Sequence, residues 1–226
     1  MRHPMYILDV NRTMEMRVSK NGLENFSCRS VRESAWNALR GNWLFACLVG
    51  FIYESISVVV RVPMDDDSLF WCSVSFLVAV FESVLSLGFF GCFLDIVRKK
   101  PLRFSRMLSG YSSVRFFLKV LWMEILASVF IFLWMLLLVI PGIVKSFSYS
   151  LSYFILLDHP EYSARGAISR SAEMMRGHRW ELLKLLLSFW KWWLLAIVTC
   201  GIALFWVFPY FMTAFAKFYD RLENEA

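Results

Sequence analysis

Six ionisable side chains stand inside long apolar stretches of this 226-residue sequence: Glu54, Glu82, Glu124, Lys145, Lys184 and Lys191. A charge surrounded by hydrocarbon is costly, so such residues face a partner, a cavity or a water path. Measured along the stretches that hold them, their depths match as three acid–base couples. Glu82 and Lys191 fall near the middle of the second and fifth stretches. Glu54 and Lys145 fall in the outer third of the first and fourth, and Glu124 and Lys184 near the inner edge of the third and fifth. Two chemistries fit these couples. They can tie helices together as interhelical polar contacts, or Glu82 and Lys191 can centre a polar pathway or proton-coupled site. Lys184 and Glu54 can also snorkel to an interface.

The sequence offers little other chemistry. It contains no phosphate-binding loop, dinucleotide-binding glycine turn, HExxH helix or GxSxG elbow. Cys28, Cys47, Cys72, Cys92 and Cys200 make no CxxC pair, and His3, His159 and His178 are scattered in polar segments. Neither a metal site nor a redox pair follows from that spacing. No catalytic residue, cofactor or metal is therefore expected. Ser146, Ser148, Ser150 and Ser152 are spaced by two, which distributes them around a helix and prevents them from lining one wall. Bonding to the backbone carbonyls of a weakened helix is the role expected for them.

The elements that must carry these residues follow from composition. The chain is 58% hydrophobic, 18% aromatic and only 19% charged, with a mean hydropathy of +0.54. A soluble domain is nearer half apolar and a quarter charged, so these values exclude disorder, a disulfide-rich secreted module and an ordinary soluble enzyme. Six runs approach the roughly 20 residues that cross a bilayer: 43–60, 69–94, 117–140, 143–157, 182–199 and 202–218. In lipid every backbone polar group must be paired within the segment, so these runs are expected to be helices. The fold class is all-α: a polytopic bundle of about six transmembrane helices with one cytoplasmic amphipathic helix. Pro141 and Gly142 are expected to break the third run from the fourth, and Pro209 to break the last. An internal echo runs from Arg115 through Gly142 and Ile143 to Asp158, and again from Arg179 through Gly201 and Ile202 to Asp220.

Charge sets the expected orientation. Seven Lys and Arg lie in the N-terminal arm, seven between Asp95 and Lys119, five from Arg165 to Lys184 and two in the tail. Arg61, Lys145 and Lys191 are the exceptions. The positive-inside bias therefore places both termini in the cytoplasm, while Asp65, Asp66 and Asp67 suit an outer loop. If the last two hairpins were re-entrant, the same charge pattern would result. Residues 1–29 read as a polar, disordered arm in which Met14 or Met16 can be the true start. Residues 30–222 read as the membrane domain and 223–226 as a tail. Asp158-His159-Pro160-Glu161 reads as a helix start with Asp158 as cap and Gly177 near the far end. Ala164, Ala167, Ile168, Ser171, Ala172 and Met175 form the apolar face of that helix. Arg98, Lys99, Lys100, Arg103 and Arg106, followed or interleaved by Leu102, Phe104, Met107 and Leu108, give the second loop similar character. Such basic elements attract anionic lipid at about 1 kcal/mol per close Lys or Arg, besides fixing topology. The net charge of +6 is thus explained without nucleic acid, which is not expected as a partner.

Several motifs in a fixed order carry a family resemblance. They are Ile140-Pro141-Gly142-Ile143, Tyr149-Ser150, Asp158-x-Pro160 and Ala167-Ile168-x-x-Ser171-x-x-Met174-Met175-x-Gly177-His178. Trp206-Val207-x-Pro209-Tyr210-x-x-Thr213 and Phe218-Tyr219 follow, with Gly41-Asn42-Trp43 and Leu108-Ser109-Gly110-Tyr111 earlier. Over residues 30–222 the chain resembles the integral membrane proteins grouped as domain of unknown function nine-seven-five. The resemblance implies a multi-pass protein of the bacterial plasma (inner) membrane and supplies no catalytic residue or substrate. The expected role is a non-catalytic accessory, scaffold or membrane-organising component, with a membrane-protein partner or a second copy of the chain. The alternative is a small transporter or export component with its polar path around Glu82 and Lys191.

Overall fold

A computed structural model describes residues 27–61 and 69–225. Met14, Met16 and the acidic run Asp65, Asp66 and Asp67 lie outside the described residues. Among the described residues there is no strand. The helices are α1 (Cys28–Leu39), α2 (Trp43–Arg61), α3 (Leu69–Val97), a 3-10 helix (Phe104–Tyr111), α4 (Val114–Leu137) and α5 (Val139–Tyr149). They continue as α6 (Ser152–Asp158), α7 (Ala164–Met174), α8 (Arg179–Ser188), α9 (Trp190–Val198) and α10 (Leu204–Glu225). Three segments, Phe76–Val97, Val114–Leu137 and Val139–Asp158, are long and apolar enough to cross a membrane; Trp43–Ser57 is a shorter apolar helix.

The central post is α3, whose 29 residues extend about 43 Å at ~1.5 Å per residue. It is apolar on all sides, the pattern of a helix enclosed by protein or lipid. From Val84 to Val97 almost every residue is buried, because α2, α4, α6, α10 and the 3-10 helix pack around it. The 3-10 helix lies so close that a Cβ at Gly88 would fall 2.0 Å from the Met107 carbonyl oxygen. The Tyr111 hydroxyl, at its far end, donates to the Phe81 carbonyl. The second loop therefore folds back along several turns of α3. Met107 is buried against the core, while Phe104 and Leu108 remain exposed.

Three expected boundaries are corrected. The hairpin between α4 and α5 turns at Leu138, a single extended residue (φ −160°, ψ 137°), so Pro141 and Gly142 do not break the chain. Pro141 stands in the first turn of α5, where helical N–H groups have no intrahelical acceptor and a missing one costs nothing. Gly142 is the close-approach residue of the hairpin: a Cβ there would lie 2.4 Å from Met135 Cγ and 3.0 Å from Met135 Cα. Pro209 is carried inside α10 without ending it. Its absent N–H leaves the Phe205 carbonyl, four residues earlier, without its helical donor, and the Cys47 thiol donates to that oxygen at 3.4 Å. Asp158 is the last residue of α6 and caps nothing; Ser163 caps α7, its hydroxyl accepting from the Gly166 N–H at 3.0 Å. On α7 Ala164, Ala167, Ile168, Ser171 and Met174 are buried, Ala172 is half-buried and Arg165 is exposed.

Two interruptions have no Pro or Gly to announce them. The fourth run bends between α5 and α6. There the buried Ser171 hydroxyl on α7 donates to the Ser148 carbonyl (2.8 Å) and accepts from the Leu151 N–H (3.2 Å). The fifth run divides into α8 and α9 at Phe189, and Arg32 on α1 donates to the Ser188 carbonyl at 2.7 Å. In both places a side chain from another helix satisfies backbone that the helix has released, as buried polar groups require.

Candidate functional site

None of the three expected couples is an ion pair among the described residues. On α3 the Glu82 carboxylate accepts from the fully buried Ser57 hydroxyl on α2 at 2.5 Å. Glu124, on α4, lies near the Ser83 and Tyr153 hydroxyls and close enough to Glu82 to sense its charge. Its Oε2 is buried without a partner, next to a cavity of about 330 Å³ walled by Phe90, Ser128, Tyr149 and Tyr153. Neither acid meets the lysine expected for it. Lys145 instead stands over the Trp134 ring (4.9 Å) and near that of Tyr149 (6.0 Å). Lys191 is exposed, 5.9 Å from the ring of its neighbour Trp190. Lys184 is exposed on α8, and Glu54 is exposed on α2. A cation over an aromatic face recovers part of its lost hydration, which explains how a lysine is tolerated in an apolar stretch without a carboxylate. The serines behave as expected. Ser146, Ser148, Ser150 and Ser152 each donate to a carbonyl three or four residues back, at 2.7–2.8 Å.

The densest polar assembly lies at the other end of the core and centres on Arg98, just beyond α3. Its Nη1 and Nη2 donate to the two oxygens of Asp158 at 2.7 Å each, and its Nε donates to Asp220 Oδ1 at 2.9 Å. Tyr219 donates to Asp158 Oδ2 at 3.0 Å, and Lys217 stands 3.5 Å from Asp220. One guanidinium thus joins the ends of α3, α6 and α10. Its planar fork is the geometry that carboxylates accept in pairs. Burial opposes the charge, yet Asp158 and Asp220 hold Arg98 protonated above its ordinary range. The sequence marks this arrangement only through its internal echo, which ends on Asp158 in one half and Asp220 in the other.

Of the five basic residues expected to face lipid, Arg98 is therefore turned inward. Arg106 is half-buried and stands 3.2 Å from Asp95. Lys99, Lys100 and Arg103 are exposed. Beside this assembly, His159 stands between Glu161 (Nδ1, 3.0 Å) and Glu223 (Nε2, 3.1 Å). Both ring nitrogens can donate only in the imidazolium form, and Glu223 and then Glu161 raise the His159 pKa above its ordinary value. The adjoining Pro160 carbonyl accepts from Lys119 at 2.6 Å.

Among the described residues no group of three or more His, Cys, Asp or Glu could hold a metal ion. No curated protein and no solved structure matches the chain. The resemblance carried by its motifs is borne out over residues 135–226, from the end of α4 onward, which match the family described as "Protein of unknown function (DUF975)".

Proposed function

We propose that this chain is a six-crossing protein of the bacterial inner membrane, with both termini in the cytoplasm, that serves as a non-catalytic accessory or scaffold component. Three segments supply spans by length and apolarity alone. α2, the α8–α9 pair and α10 supply the other three, and Lys99, Lys100 and Arg103 then face the anionic headgroups of the inner leaflet. The observation that carries the accessory reading is the Arg98 assembly. At that end Arg98 fastens α3, α6 and α10 to one another, which makes a platform on which a partner can seat. The test is chemical cross-linking and pull-down of the tagged chain from native membranes. A partner or a second copy recovered at fixed stoichiometry supports the reading; a chain that stays alone under every cross-linker contradicts it.

One observation favours a second reading, a small transporter. Glu124 presents an unpartnered oxygen beside a cavity, with Glu82 close by, so its polar path would centre on Glu82 and Glu124 in place of Glu82 and Lys191. In proteoliposomes this reading requires an ion or solute flux that is lost in both Glu82→Gln and Glu124→Gln. Flux indifferent to the two substitutions rules it out.

A further inference from the structure

Away from Glu124 and Arg98, residues of α2, α9, α10 and the turn that follows α9 surround a further opening. It is a groove of about 480 Å³, inside the size range of small-molecule sites. Its walls are aromatic: Phe51, Trp193, Phe205 and Phe208. Phe51 and Phe205 pack edge to face along one side of it, their ring centres 6.2 Å apart. One charged residue, Glu54, lies on the groove, one turn along α2 from Gly50. Among the described residues no cation pairs with Glu54. The nearby Cys47 thiol is already engaged with the Phe205 carbonyl.

A carboxylate and several aromatic faces present negative potential to the groove, and cations are attracted to both. A bare metal ion is poorly served, since hard cations require several oxygen ligands and the walls are carbon. An anion would meet Glu54 as a like charge. We propose that this groove binds a small lipophilic organic cation, its charge beside Glu54 and its apolar body against the aromatic walls. The site goes beyond the accessory reading and rests neither on it nor on Glu82 and Glu124, so a failed flux or pull-down experiment leaves it standing.

The test uses the full chain in phosphatidylcholine nanodiscs, with empty nanodiscs as the blank, and equilibrium dialysis against two ions of the same shape and opposite charge. Tetraphenylphosphonium should bind saturably at one site per chain, and tetraphenylborate should show only the uptake of the blank. Glu54→Gln should weaken tetraphenylphosphonium binding about tenfold or more, as loss of a charge-assisted contact does. Gly50→Leu should abolish it by filling the groove from α2; a Cβ at this position sits an ordinary 3.8 Å from Phe208. The melting temperature of each variant reports whether it folds. Equal saturable binding of both ions, or an unchanged affinity in Glu54→Gln, overturns the proposal. So does competitive displacement of the probe by phosphatidylethanolamine added to the nanodiscs, which would make the occupant a lipid headgroup.

Discussion

Arg98 shows how one side chain can decide the arrangement of three helices. A half-buried carboxylate without its partner costs far more than the net worth of the pair, so the two aspartates are stable where they stand only while the guanidinium is present. Arg98→Ala should lower stability by about 2–4 kcal/mol on that account, and Arg98→Lys should recover only part, because an ammonium cannot bridge two carboxylates with a planar fork. Thermal unfolding of the detergent-solubilised chain measures both; a melting temperature unchanged in Arg98→Ala contradicts the assignment. His159 gives a pH-dependent counterpart. Its folded pKa is raised by Glu223 and Glu161, with the Tyr162 ring 5.6 Å away and Lys119 on the neighbouring carbonyl. Its contribution is therefore fully present below the unfolded value of about 6.5 and is lost as pH rises through the raised folded value. The melting temperature of the wild type should fall relative to that of His159→Gln as pH is raised through that window. Parallel curves would show that the imidazolium contributes nothing.

At the scale of elements, the structure turns on close backbone approach and on released carbonyls captured from a distance. The 3-10 helix reaches α3 because Gly88 has no side chain. In Gly88→Ala the new carbon would overlap the Met107 carbonyl, which is backbone and cannot swing aside, so the Phe104–Tyr111 segment should be displaced. Limited trypsin digestion reads this directly: cleavage after Arg103 and Arg106 should accelerate several-fold in Gly88→Ala, and equal digestion rates would contradict the tight docking. The existence of the helices was legible in hydropathy, and several bounds agree within a few residues, as for α2 and α4. The places where the chain turns were less so. Proline was read as a break at Pro141 and at Pro209, whereas a first-turn position excuses the one and the Cys47 thiol compensates the other. The breaks at Phe189 and between α5 and α6 depend on Arg32 and Ser171, distant residues that no local pattern connects to them.

Across the whole molecule, the two ends differ in kind. One is closed by buried side chains and ion pairs; at the other, Leu136, Leu138 and Ile140 stand exposed, and α4 as a whole is covered over only 11% of its most apolar window. Apolar surface on that scale is stable in hydrocarbon and not in water. Composition indicated a membrane chain; how the charges divide between the ends was not legible in it. The candidate site was only half legible: the sequence singled out the intramembrane acids Glu82 and Glu124, but depth along a run does not fix which way a helix faces, so acid was matched to lysine where the bundle matches Glu82 to the Ser57 hydroxyl. If all six runs cross, as proposed, the α9–α10 turn lies on the outer face, where Cys200 is within reach of reagents added outside the cell. This exposed thiol lies in that turn, so a chain in which it is the sole cysteine can be treated with a membrane-impermeant maleimide in intact cells. Six crossings require labelling of Cys200 from outside without permeabilisation. Labelling only after the inner membrane is opened would mean that the last hairpin enters and returns, and would contradict them.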